Sequence, residues 1–331
     1  MRRNTLIQLT ENGLFCPVGS FYIDPWRPVE RAVVTHAHGD HVVWGCKSYL
    51  VSHEGRYVFR TRLGYHAKIQ TTEYGKPVDM NGVRVSLHPA GHILGSAQIR
   101  VEHQGEVWVI TGDYKTEPDA TCSPFELVKC HTFVTESTFG LPIFRWQPQQ
   151  TVFDSINAWW RANQQAGRTS LLFGYSLGKA QRLIMGADPS IGPIYCHGAV
   201  ERLNRDYRGT GIKLPKTLYV GGAGKVDWTQ GLIVAPPSAR ATPWTRKFGN
   251  VSAGFASGWM RIRGARRQRA VDRGFVLSDH VDWVALMDTI KATGAEHIWV
   301  THGYTEVVVR WLQEQGYDAW VVPTRFSDER N

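Results

Sequence analysis

Three histidines and an aspartate stand within six consecutive positions in the segment T-H-A-H-G-D-H-V. Imidazole nitrogens and carboxylate oxygens are usual ligands of zinc, and catalytic zinc sites leave one position open for water. In an extended segment His36 and His38 point to the same side, so both can reach one ion. Asp40 and His41 can serve a second ion at a turn. A chance match to H-x-H-x-D-H occurs in roughly one chain in a thousand, so the segment predicts a metal site.

The residues before this segment predict how it is held. The β-branched run R-A-V-V leads into it, which indicates a buried strand over residues 31–35. The histidines then occupy the loop that leaves the carboxyl end of the strand, where α/β proteins place their chemistry.

Further metal ligands are needed, because four side chains cannot saturate two ions. His92 follows a predicted strand at 83–89, and Asp113 follows another at 106–111. His302 ends the strand-like run H-I-W-V-T-H-G near the C-terminus. Ligands at the ends of several strands predict that the site lies along one edge of a sandwich of two sheets.

Composition and cysteine usage indicate a globular protein of a reducing compartment. The chain has 331 residues, 42% of them hydrophobic, which allows one large domain or two smaller ones. Its five cysteines are scattered without a C-x-x-C pair, so neither a disulfide framework nor a zinc ribbon is indicated. The sequence has no apolar run of signal-peptide or transmembrane length, so we expect a soluble, unprocessed, cytoplasmic protein.

Charge divides unevenly along the chain. Residues 149–274 carry 19 Lys and Arg against 6 Asp and Glu, a net charge of +13, while the remainder has a net charge of −4. This split suggests two modules, a basic one that meets a polyanion and an acidic one that holds cations. The alternative, that the basic side chains only solvate a surface, stays open at this stage.

An arginine-rich run marks the end of the basic segment. Residues 261–273 read R-I-R-G-A-R-R-Q-R-A-V-D-R, with six arginines in thirteen positions. Guanidinium groups bind phosphate bidentately, which lysine does less well. We therefore expect an ordered edge that faces nucleic acid, and the candidate contacts are Arg261, Arg263, Arg266, Arg267, Arg269 and Lys179.

These motifs carry a family resemblance. The H-A-H-G-D-H segment, the later G-H and G-D, and the final histidine resemble the metallo-β-lactamase fold. T-E-S at Glu136, S-D-H at His280 and T-H-G at His302 resemble motifs A, B and C of the β-CASP nucleases, which include Artemis, the cross-link repair exonucleases, bacterial ribonuclease J and the pre-mRNA 3′-end endonuclease. The segments F-C-P-V-G-S-F-Y-I-D-P, E-S-T-F-G-L-P-I-F-R-W and F-G-Y-S-L-G-K-A-Q-R look most like the bacterial ligase-associated DNA exonucleases, relatives found beside an ATP-dependent DNA ligase and a helicase.

The resemblance implies an α/β architecture. An αββα metallo-β-lactamase sandwich would comprise residues 1–148 and 275–331, and an α/β β-CASP cap domain would be inserted at 149–274. Within the cap we expect helices at 151–167 and 177–187. The glycine cluster G-G-A-G-K lacks the spacing of a phosphate-binding loop, so it is read as an ordinary loop.

The resemblance also implies a binuclear site that holds two divalent ions, zinc or manganese. One ion would be held by His36, His38 and His92, the other by Asp40, His41 and His302, with Asp113 as the bridge. A hydroxide shared by the ions would attack phosphorus. Asp40 would also accept its proton, Glu136 would orient a ligand histidine, and His280 would bind the scissile phosphate or protonate the departing 3′ oxygen.

Two of these residues have ordinary alternatives. Glu136 can instead cap a helix or pair with an arginine. His280 lies in S-D-H-V-D-W, where S-D can be the start of a helix that runs to residue 293.

Three functions remain open from the sequence. The preferred one is a metal-dependent DNA exonuclease of DNA repair, 5′ to 3′ on single-stranded or frayed ends. The second is an RNA-processing nuclease, because motif C is commonly histidine in RNA-acting β-CASP enzymes and this chain has His302. The third is a small-molecule metallohydrolase, which shares the metal loop but gives no reason for a basic cap.

Overall fold

The computed structural model describes residues 5–262, 264 and 271–324. The chain divides into two compact units, which we call the first unit (Met1–Arg145 with His280–Asn331) and the second unit (Trp146–Asp279). Within the described ranges, no helix combines the length and apolar character needed to cross a bilayer. The domain assignment made from the sequence stays a prediction.

Two sheets form the frame of the first unit. The first sheet has the spatial order β1 (Gln8–Thr10), β2 (Gly13–Cys16), β3 (Phe21–Ile23), β4 (Arg31–Val33), β5 (Ser48–Ser52) and β6 (Ile69–Thr72). The second has the order β19 (Asp318–Val321), β18 (His297–Gly303), β11 (Thr132–Ser137), β10 (Glu106–Ile110), β9 (Ala97–His103), β8 (Val83–Pro89) and β7 (Val78–Met80). The strands predicted at 31–35, 83–89 and 106–111 are thus confirmed, with small shifts in their ends.

The sequence of β10 shows why the second sheet is covered on both faces. Successive side chains of a strand point to opposite faces. Trp108 and Ile110 belong to the apolar cluster between the two sheets, whereas Val107 and Val109 belong to the cluster on the other face. A strand buried on both sides reads as a continuous apolar run, as β10 does.

Helices cover the outer faces of the two sheets. The helix α1 (Arg56–Leu63) contacts β5. The helices that close the outer face of the second sheet are α5 (Trp283–Thr293) and α6 (Thr305–Glu314), through Leu286, Ile290, Val308 and Leu312. This mixed α/β arrangement is consistent with the metallo-β-lactamase-like fold that the sequence predicts.

The second unit is built on a parallel sheet. Its spatial order is β14 (Thr217–Tyr219), β13 (Ile194–Cys196), β15 (Leu232–Ala235), β12 (Thr169–Phe173), β16 (Val251–Ala256) and β17 (Arg273–Phe275). Apolar side chains of α2 (Gln149–Gln165), α3 (Lys179–Gly186) and α4 (Gly198–Gly209) pack on one face. The other face is covered by 3-10 turns that include Pro243–Phe248.

The helices expected in this unit are present with shifted ends. Instead of 151–167 the first spans Gln149–Gln165, and instead of 177–187 the second spans Lys179–Gly186. The later start of α3 has a physical reason: Gly178 has φ +86°, outside the helical region, and its N–H donates to Gln181 Oε1 at 2.9 Å. The glycine cluster expected as a loop begins with a 3-10 turn, Val220–Gly222.

Candidate metal centre

The histidine-rich segment follows β4 and folds back on itself. The N–H groups of His41 and Val42 both donate to the carbonyl oxygen of His38, at 3.2 and 3.1 Å. This turn brings the two halves of the segment together, as the sequence predicts for residues that leave the carboxyl end of a buried strand.

The first group of donors consists of His36, His38, His92 and Asp113, whose ligand atoms all lie within 4.8 Å of one another. His38 Nδ1 is 3.1 Å from Nε2 of His36 and 3.1 Å from Nε2 of His92. Asp113 Oδ2 is 3.3 Å from His36 Nε2. Such convergence of nitrogen and oxygen lone pairs suits a common cation.

The second group consists of Asp40, His41 and His302, again with ligand atoms within 4.8 Å of one another. Asp40 Oδ2 is 3.6 Å from His41 Nε2, and the rings of His41 and His302 stack with centroids 5.4 Å apart. Asp113 Oδ2 is also 3.6 Å from His41 Nε2, so Asp113 adjoins both groups. The structure therefore brings together all seven side chains that the sequence nominates as ligands.

Glycines beside two of the ligands are required by space as well as by backbone conformation. Gly112, just before Asp113, has φ +56°, and a Cβ there would lie 2.5 Å from Thr35 Oγ1. Gly91, just before His92, has φ +71°, and its Cβ would lie 2.2 Å from a backbone oxygen. His302 itself has φ +54°, a strained value for a histidine and one that is typical of functional positions.

The electrostatics of His41 test whether the site fits a cation. Its Nε2 is buried and has no hydrogen-bond partner among the described residues. Burial disfavours a charged imidazole, yet the carboxylates of Asp40, Asp113 and Asp24 raise the pKa of His41 well above its usual value. The site thus favours positive charge at the unpartnered nitrogen, and a metal ion can supply it in place of a proton. The donor set therefore fits divalent metal ions.

Two other histidines are kept neutral, which is the form that binds metal. Burial, followed by the nearby His41, lowers the pKa of His36 well below its usual value. Burial and His41 likewise lower the pKa of His302 to about 4.

Asp24 is a site residue to which the sequence analysis gave no role. It follows β3, and its carboxylate accepts hydrogen bonds from the Thr35 N–H at 2.8 Å and from the Thr35 hydroxyl at 2.6 Å. His41 Nδ1 is 2.7 Å from Asp24 Oδ2. With its proton on Nδ1, His41 directs the Nε2 lone pair to the cluster. The position of Asp24 directly after β3 is the sequence feature that could have marked it as a site residue.

The buried Glu136 and the partly buried His280 form a pair beside the first group. Glu136 accepts a 2.9 Å hydrogen bond from the Tyr114 N–H, and its two oxygens lie 3.0 and 2.9 Å from His280 Nδ1. Burial opposes the Glu136 carboxylate, but His280 together with hydrogen bonds from Thr138 and the Tyr114 N–H outweighs burial and lowers the pKa of Glu136. The His280 ring lies 4.8 Å from that of His92.

The alternatives for these two residues differ from the observed placement. Glu136 lies in β11 rather than at a helix end, and the side chain that pairs with it is His280 rather than an arginine. The prediction that Glu136 orients a ligand histidine stays a prediction. The helix α5 is capped by Asp282, which accepts from the Ala285 N–H at 2.9 Å, so His280 precedes the helix.

Of the predicted nucleic-acid contacts, Arg261 and Lys179 lie among the described residues. Arg261 is exposed in the second unit, whereas Arg263, Arg266, Arg267 and Arg269 lie outside the described residues. Lys179 is buried, with Nζ 2.8 Å from the Leu277 carbonyl oxygen and 3.0 Å from Asp279 Oδ1. An ammonium engaged in this way is not presented to a ligand at the surface, so the assignment of Lys179 needs correction. The cause is Asp279, a carboxylate remote in sequence.

Known proteins resemble the chain in sequence and in fold. No protein-family model matches it. A protein of Opitutus terrae named "Probable DNA ligase" is 29% identical over 315 residues, which cover 94% of this chain and 30% of that protein. "Endoribonuclease YSH1" of Saccharomyces cerevisiae is 30% identical over 123 residues, 37% of this chain and 16% of that protein. The chain thus spans less than a third of the length of these relatives.

The fold of the chain resembles that of a solved structure. A crystal structure of a protein of unknown function from Enterococcus faecalis matches with a TM-score of 0.58 at 11% identity, and it covers 89% of this chain and 79% of that one. This likeness concerns the fold alone.

The donor cluster offers ligands that could hold metal ions, and the relatives that the chain resembles are named for a DNA ligase and for endoribonucleases.

Proposed function

We propose that the chain is a metal-dependent DNA exonuclease of DNA repair that degrades single-stranded or frayed ends from 5′ to 3′. The observation that carries the proposal is the convergence of seven donor side chains, four from one loop and three from other strand ends, into two adjoining groups that are buried or partly buried. The choice of DNA rests on the relative named as a probable DNA ligase, which matches nearly the whole chain. An ATP-dependent DNA ligase and a helicase in the cytoplasm are the proposed functional partners.

In this proposal His36, His38 and His92 would hold one ion and Asp40, His41 and His302 the other, and Asp113, which adjoins both groups, would serve either ion. The bound ions supply Lewis acidity, which makes water nucleophilic at neutral pH and stabilises charge on the phosphate. Asp40 accepts the proton of the attacking water. His280, held by the Glu136 carboxylate through Nδ1, directs its other nitrogen to the scissile phosphate or the departing 3′ oxygen.

The second unit is proposed to be the β-CASP cap. Its sheet is parallel and its helices α2, α3 and α4 cover one face, in keeping with an α/β insertion. The segment 149–274 within it has a net charge of +13, which suits a polyanionic substrate and gives no advantage with a small neutral ester.

A ribonuclease is the second candidate, because several relatives are named endoribonucleases and cover 35% to 42% of this chain. The DNA exonuclease and the ribonuclease are distinguished by digesting matched DNA and RNA oligonucleotides in the presence of zinc or manganese. Each oligonucleotide is labelled separately at its 5′ and its 3′ end. We expect mononucleotides released from the 5′ end of single-stranded DNA. Faster degradation of RNA would overturn the choice of DNA as substrate. The inactive control is Asp113→Asn, which changes the carboxylate that adjoins both donor groups.

A further inference from the structure

A groove on the second unit lies where its sheet topology favours ligand binding. The chain passes from β13 through α4 to β14 at one edge, whereas from β15 it passes to β16 on the other side of β12. Ligands of open parallel sheets bind beyond the carboxyl ends of strands whose connections diverge in this way. Here α4 begins with Gly198 and the turn Pro243–Phe248 follows β15, with the His197 and Trp244 rings 4.9 Å apart.

The groove has a volume of about 530 Å³, within the range of small-ligand sites. Its walls are residues 220, 221 and 223–226 together with Trp228 and Lys247, and we call it the lysine groove. Among the described residues that line it, the charged groups are the exposed Lys225 and Lys247. The neighbouring Asp227 is engaged in its own turn, where Oδ1 accepts from the Thr229 N–H at 3.0 Å and hydroxyl at 2.6 Å. The charge of the groove therefore suits an anion.

Two aromatic rings belong to the groove or adjoin it: Trp228 lines it, and Tyr219 packs over the lining residue Gly221. Tyr219 is 51% exposed, and its ring lies so close over Gly221 that a Cβ there would be 2.4 Å from it. Trp228 is partly exposed and held edge-on by Tyr195 and Phe248, with centroids 4.9 and 5.1 Å apart. These rings are fixed before any ligand arrives, which lowers the entropic cost of stacking.

We propose that the lysine groove binds a segment of single-stranded nucleic acid, with phosphates at Lys225 and Lys247 and unpaired bases against Tyr219 and Trp228. Positive groups along the backbone with aromatic platforms for the bases are the features by which proteins bind single strands without sequence preference. A duplex offers no free base face for these rings. The inference rests on the proposed nuclease function and adds a binding site on the second unit, whereas the metal ligands belong to the first.

The test compares two double variants that each remove two positive charges. Lys225→Ala with Lys247→Ala alters the groove, while Lys213→Ala with Lys216→Ala alters exposed lysines that precede the amino end of β14. Binding of a cleavage-resistant phosphorothioate oligothymidylate of about fifteen nucleotides is measured by fluorescence anisotropy at several salt concentrations on the metal-loaded protein. Hydrolysis of bis(p-nitrophenyl) phosphate reports on the metal centre alone.

For the groove variant we expect affinity to fall about tenfold and the slope of log affinity against log salt to decrease by about 1.4, since each phosphate contact on a single strand contributes about 0.7. Tyr219→Ala should weaken binding without a change of that slope. The hydrolysis of bis(p-nitrophenyl) phosphate should match that of the unmodified protein.

Two results would overturn the inference: equal affinities of the groove and control variants, or binding of a mononucleotide as tight as that of the oligonucleotide, which would indicate a small-molecule site. The proposed function fails separately. If the unmodified protein cleaves neither the small diester nor any nucleic acid, the nuclease proposal is wrong, while a groove-specific loss of oligonucleotide binding still supports the lysine groove.

Discussion

Replacing Asp24 with asparagine should weaken metal binding, although Asp24 itself is no proposed ligand. The carboxylate accepts from the Thr35 N–H through Oδ1 and from His41 Nδ1 through Oδ2. An asparagine amide has one acceptor oxygen, so in either orientation one of these N–H groups faces another donor. The Thr35 N–H cannot become an acceptor, whereas His41 can change its tautomer, so the amide nitrogen should face His41 Nδ1. His41 is then protonated on Nε2, the nitrogen that lies 3.6 Å from Oδ2 of both Asp40 and Asp113.

Loss of such an outer partner costs about 10- to 100-fold in metal affinity, which corresponds to about 1.4 to 2.8 kcal/mol. Metal affinity is measured by chelator competition, and the fold is checked by circular dichroism. Asp79→Asn is the matched control, because exposed Asp79 accepts from the Gly82 N–H at 3.2 Å far from any histidine ligand in sequence. An unchanged affinity in Asp24→Asn, with the control also unchanged, would refute the argument about the tautomer.

Two further predictions concern buried groups. Asp279→Ala should lower the free energy of unfolding by about 3 to 5 kcal/mol, because two buried cations would lose this carboxylate. Lys179 Nζ lies 3.0 Å and Arg182 Nη1 2.8 Å from Asp279 Oδ1. Urea denaturation measures the change, and a loss below about 1 kcal/mol would contradict the pairing. Burial raises the pKa of Cys130 to about 12, so at pH 8 only about one thiol in ten thousand is ionised. Iodoacetamide should therefore modify Cys130 only after unfolding, as peptide mass spectrometry can show, and rapid labelling of the native protein would contradict the burial.

Much of the metal cluster was predictable from sequence because its donors stand in local motifs. His36, His38, Asp40 and His41 share one loop. His92 and Asp113 each follow a strand and His302 lies near the end of one, which indicates the edge that each occupies. The glycines of the G-H and G-D motifs belong to the same local signal, since close packing next to the ligand excludes any Cβ.

Contacts between distant segments could not be obtained in this way. Asp24 and His41 are brought together by adjacent strands β3 and β4, and Glu136 meets His280 across 144 positions of sequence. Lys179 was predicted to contact nucleic acid, but it is buried against Asp279, which no helical or strand periodicity relates to it. The spatial order of the parallel strands in the second unit is likewise a matter of long-range packing.

The central claim is that one chain binds two divalent metal ions through the seven clustered side chains. The most direct test of this binding is native mass spectrometry. The protein is first supplied with zinc or manganese and then freed of loosely bound ions. The account predicts two ions per chain and fewer in Asp113→Asn, whose folding is verified alongside. A correctly folded chain that retains no metal ion after this treatment would contradict it.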